Sequence, residues 1–349
     1  MKKRIAAIAA LLLGLRLGLF AAESDTFRSL TQGTQLRQPV TISASAAQAE
    51  QDGERSYEPV PEFAADHTGS ASQAVSNTED TILNNNRVDS TEESGTEILE
   101  TTIASGLSIK NATPYAIDIP KLLSEGVPQR LTAGQPQILI LHTHSSEAYT
   151  PTGSDRYEAS DSYRTEDLHF NVVRVGDELA ARLESYGLQV LHDRNVYDYP
   201  SYTGSYTRSG EAVSQYLSQY PSIAVVIDLH RDALGSGDVI YKTVAEAGGV
   251  CASQVMLLVG TDASGLYHPK WQENLKLALY LQSAAVRKYP TLVRPVSVVS
   301  ERYNQHLTTG SMILEVGSAG NTLQEALTAV GMFADAVGPA LEALVEPQV

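Results

Sequence analysis

The stretch ILILHTHSSEAYT, Ile138 to Thr150, constrains the fold of this chain more than any other. A continuous apolar run of strand length reads as a strand covered on both faces, because a strand with one face in water alternates apolar and polar residues. Directly after it come His142, His144, Ser145, Ser146 and Glu147. The same transition recurs in "SIAVVIDLHRDA", which runs into His230, Arg231 and Asp232, and in "SMILEVGSAGN", which carries Glu315 toward a small-residue turn ending at Asn321. Between these runs the period changes. "NVVRVGDELAARLESYG" repeats Val172, Val175, Leu179 and Leu183 at helical spacing, with Gly187 as a stop. "LQVLHD", "SQVMLLVG" and "PVSVVS" read as further strands, "SGEAVSQYLSQYP", "KLALYLQSAAVRKY" and "NTLQEAL" onward as helices, and Gly248-Gly249 as a hairpin turn. The alternation predicts an α/β fold: a mostly parallel sheet with helices on both faces.

In an open α/β sheet the active crevice lies beyond the carboxyl ends of the strands. The three polar clusters are therefore expected to meet. Two imidazoles and a carboxylate form a common catalytic zinc set, and a further carboxylate then takes the proton of water. His144 and Glu147, three residues apart in a tight turn, offer two ligands from one strand end. His230 would complete the set from a neighbouring strand, with Glu315 as the general base from a third. A lone HxxE or a lone strand-end histidine carries little weight, but three such sites at three strand ends reinforce one another.

The remainder of the chain sets limits on function. Lys and Arg number 25 against 41 Asp and Glu, a formal net charge of -16, and no basic cluster follows the first residues. That balance excludes a nucleic-acid binder and suits a neutral or polymeric substrate. A single cysteine, Cys251, permits no intrachain disulfide and no multi-thiolate zinc site. "MKKR" followed by an apolar stretch and small residues reads as a signal peptide or membrane anchor over 1–23, predicting export or membrane attachment, even though Arg16 interrupts the apolar run. Residues 24–134 are rich in Ser, Thr, Gln, Asn and Glu and read as a mostly disordered tether, with a short strand-like patch near 107–119 expected to pack on the domain spanning 135–349.

Taken together, "ILILHTHSSEAY", "YRTEDLHFNVVRVGDELAARLESYG", "VVIDLHRDA" and "ILEVGSAGNT" resemble the stage II sporulation protein P family, within the wider group of zinc N-acetylmuramoyl-L-alanine amidases. The resemblance runs from about Gln135 to Val345. It implies an amidase-like or zinc-exopeptidase-like sheet, bound zinc, and a peptidoglycan hydrolase of sporulation engulfment that acts at the septum from the extracytoplasmic side of the membrane. The implied activity is cleavage of the muramoyl–L-alanine amide and of peptide cross-links. The implied partners are a lytic transglycosylase and a membrane-anchoring protein. His144, His230 and Glu315 match the group's pattern. The remaining ligand stays open between Glu147, whose spacing matches the HxxE of zinc carboxypeptidases, and Asp167, four residues ahead of Asn171 and next to Glu166. His142, two residues before His144, is the alternate for the first ligand. Two other functions stay in view: a zinc carboxypeptidase on stem peptides, for which Arg231 or Arg302 would pair a terminal carboxylate, and a non-catalytic wall-binding module.

Other polar positions carry plainer readings. Arg231 and Asp232 either orient His230 or form a local ion pair. His169, His192, His268 and His306 read as surface or packing residues, and Cys251 as an inert small side chain. The tyrosine-rich loop "DRNVYDYPSYTGSYTR" and Trp271 either line a substrate groove or simply pack.

Overall fold

The computed structural model describes residues 101–347, apart from 237–238 and 248. The apolar segment at 1–23 and the tether up to residue 100 lie outside the described residues. Among the described residues no helix is long and apolar enough to cross a membrane.

The apolar runs build an eight-stranded sheet. Its members are β1 (Thr101–Ala104), β2 (Leu107–Asn111), β4 (Ile138–Leu141), β5 (Val190–His192), β6 (Val225–Asp232), β11 (Val255–Gly260), β12 (Val296–Val299) and β13 (Ser311–Ser318). Their order is β1-β2-β12-β11-β13-β6-β4-β5. β5, β4, β6 and β13 run parallel, and so do β11, β12 and β2, but the β11–β13 pairing between the two blocks is antiparallel. The connections account for the reversal. A parallel crossover needs a dozen or more residues, usually helical. β6 instead leads to β11 through short hairpin strands, β7 (Gly235–Ser236) with β8 (Val239–Ile240), and β9 (Ala245–Ala247) with β10 (Val250–Ala252). The glycine pair expected to turn a hairpin lies between β9 and β10, where Gly249 has φ 79°.

Helices cover both faces, which is why the ILIL run is apolar throughout. Ile138 and Ile140 share one core with Val225, Ile227 and Leu229, under α2 (Val172–Glu184), α4 (Trp271–Lys288) and α5 (Leu323–Glu342). Leu139, Leu141 and Val226 face the other way and pack on Val213 of α3 (Ser205–Gln219). The Asn171 side chain caps α2 by accepting from the Val173 amide at 3.0 Å. A capping box between Thr322 and Glu325 starts α5.

The ordered fold begins before Gln135. The patch at 107–119 is no loose appendage: β2 pairs in parallel with β12 inside the sheet, and Leu107 and Ile109 are buried. A short α1 (Ile119–Glu125) follows, and then β3 (Leu131–Thr132), which pairs with β14 (Val345–Glu346). The strand character of LSI was legible in the sequence, but its place inside the sheet beside β12 was not, because that pairing joins segments remote in the chain.

Candidate metal centre

β4 ends at Leu141 and the chain turns sharply, with the Glu147 amide donating to His144 O at 3.1 Å. This turn is polar yet buried, so its groups must find partners. Ser145 Oγ donates to His142 O and Asn195 O, and Ser146 Oγ donates to Asp198 Oδ2 at 2.6 Å. Arg164 reaches the same Asp198 oxygen at 2.8 Å. The loop after β5 thus clamps the turn.

The clamped turn presents His144 and Glu147 toward His230 on the adjacent strand. One possible donor atom from each residue lies within 4.8 Å of the others, and all three side chains are buried. His144 Nδ1 stands 3.4 Å from Glu147 Oε1, and His230 Nδ1 stands 3.3 Å from Oε2. The Arg231 amide donates to Oε2 at 3.1 Å, and Arg164 stands 3.6 Å from Oε1. Burial alone would raise the Glu147 pKa. The charges of His230 and Arg231 and the bonds from both histidines outweigh it and hold the carboxylate well below its ordinary value.

Asp228, one strand repeat before His230, sits on the same face of β6. It lies 2.9 Å from His230 Nε2 and accepts from the Thr143 amide and hydroxyl at 2.8 and 2.6 Å. The two groups are in ionic contact, on the side of the imidazole where a metal-binding histidine commonly meets a carboxylate, although Nε2 makes no hydrogen bond among the described residues. Sequence reasoning passed over Asp228 because it sits within an apolar run. The strand's period of two, counted back from His230, is the signal that singles it out.

Glu315 lies directly across the β13–β6 ladder from His230. Its Oε2 is buried with no hydrogen-bond partner among the described residues, as is His144 Nε2. Burial, then Asp232 and Glu147, push the Glu315 pKa up to about 8, against the opposing pull of His230 and Arg294. Three carboxylates, Glu147 buried and Asp228 and Glu315 half-buried, stand around two buried imidazoles, an electrostatic arrangement that a dication would complete. The His/Glu/His donor set suits zinc.

The alternates lie elsewhere. His142 faces the α2 side, its Nδ1 2.8 Å from Leu229 O and its Nε2 2.8 Å from His192 Nε2. Burial and His192 push its pKa down to about 3, leaving a neutral packing residue. It lies two positions before His144, but the turn after β4 breaks the strand alternation that would have put both on one face. Asp167 is exposed and pairs with His169 at 2.8 Å, and Glu166 is exposed as well. Neither belongs to the converging group. Arg231 is buried and donates to Ala148 O and Tyr163 O, while Asp232 pairs with Arg294 at 2.6 Å. His169 is exposed; His192 and His268 pack; Cys251 is exposed. Trp271 stacks on Tyr115. From the tyrosine-rich loop, Tyr202 lies flat on the His144 ring with centroids 4.5 Å apart, and Tyr206 meets it edge-on at 5.4 Å.

The family model of stage II sporulation protein P matches residues 31–338. The chain belongs to this family. The stage II sporulation protein P of Bacillus subtilis (strain 168) is 28% identical over 219 residues, 60% of this chain. The match spans about half, 52%, of that relative's own length. Among solved structures, the CwlD amidase from Clostridioides difficile in complex with the GerS lipoprotein is similar at a TM-score of 0.38 and 14% identity, covering 59% of this chain and 98% of that one. An N-acetylmuramoyl-L-alanine amidase of Nostoc punctiforme gives 0.36 and 12%, covering 60% and 96%. At such scores the likeness is partial, and the chemistry of the site stands on the chain's own residues.

Proposed function

We propose that this chain is a zinc-dependent peptidoglycan hydrolase that cleaves the N-acetylmuramoyl–L-alanine amide during sporulation. The observation that carries the reading is the convergence of His144, Glu147 and His230 beside half-buried Glu315, toward the carboxyl ends of three adjacent parallel strands. Membership of a sporulation family supports the biological setting. Action on septal peptidoglycan from the extracytoplasmic side of the membrane, cleavage of cross-links, and work beside a lytic transglycosylase and a membrane-anchoring partner belong to the same proposal.

His144, Glu147 and His230 would hold the metal. Zinc bound there acidifies water and polarises a carbonyl. The chain's own residues supply the rest. The Arg231 amide and Arg164 hold the Glu147 carboxylate, and the Asp228 carboxylate stands against the second nitrogen of the His230 ring. Glu315 takes the proton of the attacking water and returns it to the leaving nitrogen. Its burial keeps competing water away and makes its proton affinity responsive to nearby charge. A carboxypeptidase would need a guanidinium open to a terminal carboxylate, and the Arg231 side chain is already engaged by two backbone carbonyls.

Digestion of purified peptidoglycan followed by mass spectrometry of the products tests the proposal. New muramoyl termini are expected, lost on chelation and restored by zinc. Trimmed stem peptides would favour the carboxypeptidase, and unchanged wall material would favour a binding module.

A further inference from the structure

Tyr206 occupies the first turn of α3, just after Gly204, whose φ of 83° starts the helix in a left-handed conformation. Its ring meets His144 edge-on and lies 5.3 Å from the Tyr303 ring. Its hydroxyl makes no hydrogen bond with a described residue. Packing alone would be served as well by phenylalanine. An unbonded phenol beside a candidate metal centre and its base calls for another explanation.

The turn carrying Tyr206 is held from several directions. Asn304 Nδ2 donates to Tyr206 O at 2.8 Å and to Ser209 Oγ at 3.1 Å. Ser209 Oγ bonds Thr143 Oγ1 at 2.8 Å, and Thr143 Oγ1 donates to Asp228. A chain of hydrogen bonds thus ties the helix start to the strand that bears His230. Gly210 permits the close approach, since a Cβ there would stand 2.7 Å from Asn304 Oδ1. Tyr303, the neighbour of Asn304, sits at φ 50°, a conformation costly for a residue with a side chain and typical of functional sites. The result is a phenol fixed in place before substrate arrives, as electrostatic catalysis requires.

We propose that Tyr206 is a catalytic residue whose hydroxyl donates a hydrogen bond to the scissile carbonyl oxygen as that oxygen gains negative charge. The inference rests on the amide-hydrolysis reading above. Water oxygen bonds to the carbonyl carbon while Glu315 takes the proton, the C–N bond then breaks, and the proton passes to the nitrogen. Tyr206 keeps its O–H throughout. An ordinary phenol stays protonated at neutral pH. The bond strengthens as charge develops, so it lowers the barrier more than it aids ground-state binding.

The test uses the full zinc-loaded chain and a muramoyl-peptide substrate. Tyr206→Phe removes one oxygen and keeps the ring. It is expected to lower kcat by about 10²–10³, the loss typical of a missing oxyanion donor, with KM, zinc content and thermal melting near wild type. A phosphinate analogue of the tetrahedral state should weaken in parallel, a readout that a purely packing role would not move. Wild-type kcat in the Phe variant, or loss of its zinc, overturns the assignment of Tyr206 alone. A wild-type chain that leaves the muramoyl amide intact overturns both this assignment and the function beneath it.

Discussion

At the residue scale the question is which carboxylate would complete the proposed zinc set. Glu147 lies against both imidazoles, whereas Asp167 is exposed and bound to His169. Glu147→Ala should therefore lose zinc about as far as His144→Ala, and Asp167→Ala should keep it, by metal analysis of the purified variants. A metal-free Asp167→Ala protein beside a loaded Glu147→Ala protein would overturn the assignment. Glu315→Gln separates base from ligand. An amide keeps the shape but cannot accept the proton of water, so zinc should stay while hydrolysis falls by about 10²–10⁴. Zinc lost in that variant would move Glu315 into the ligand set.

At the element scale the site depends on how closely α2 approaches the sheet. Gly176 faces the His142–His192 pair, and a Cβ there would meet both Nε2 atoms at 2.6 Å. Gly176→Ala should destabilise the fold by about 1–3 kcal/mol, the usual cost of overpacking a core, read from urea unfolding. An unchanged midpoint would mean that the rings move aside freely. The helix itself was legible from Val172, Val175, Leu179 and Leu183, because an amphipathic period is a local property. The role of His142 was not. Its partners, Leu229 and His192, are remote in sequence, and alternation along the strand could not reveal that the chain leaves the strand at Leu141.

At the scale of the whole molecule, the sheet extends ahead of the expected catalytic domain. A chain starting at Thr101 should fold and bind zinc. One starting at Gln135 loses β1, β2 and α1, and with them buried Leu107, Ile109 and Ile119. Each fully buried side chain of this kind stabilises by about 1.5–3 kcal/mol, so the loss approaches the net stability of a domain, about 5–15 kcal/mol. Cooperative melting of the first and its absence in the second is the expected outcome. Distant from the candidate site in the chain, His268 is buried and His306 half-buried, and desolvation, then the neighbouring cationic groups, push both pKa values down to about 4. The unfolded chain then binds more protons between its ordinary histidine pKa of about 6.5 and pH 4. Their neutral burial costs nothing above that window, and stability should fall as pH drops through it. His268→Gln should flatten the acid side of the pH–stability profile. A profile as steep as wild type would remove His268 from the explanation.

The sequence by itself determined the principal strands and helices and the residue types at the candidate site, because hydrophobic period and residue type act locally. It brought His144, His230 and Glu315 to the ends of strands without showing which strands are neighbours. Only the tertiary structure decided that β4, β6 and β13 stand side by side, that Glu147 rather than Asp167 meets the histidines, and that His142 turns to the opposite face. It also placed Asp228, Arg164 and Tyr206 beside the candidate site. Those assignments depend on strand order, on a turn that breaks the strand's period, and on loops far apart in the chain, and none of these leaves a periodic trace in the sequence.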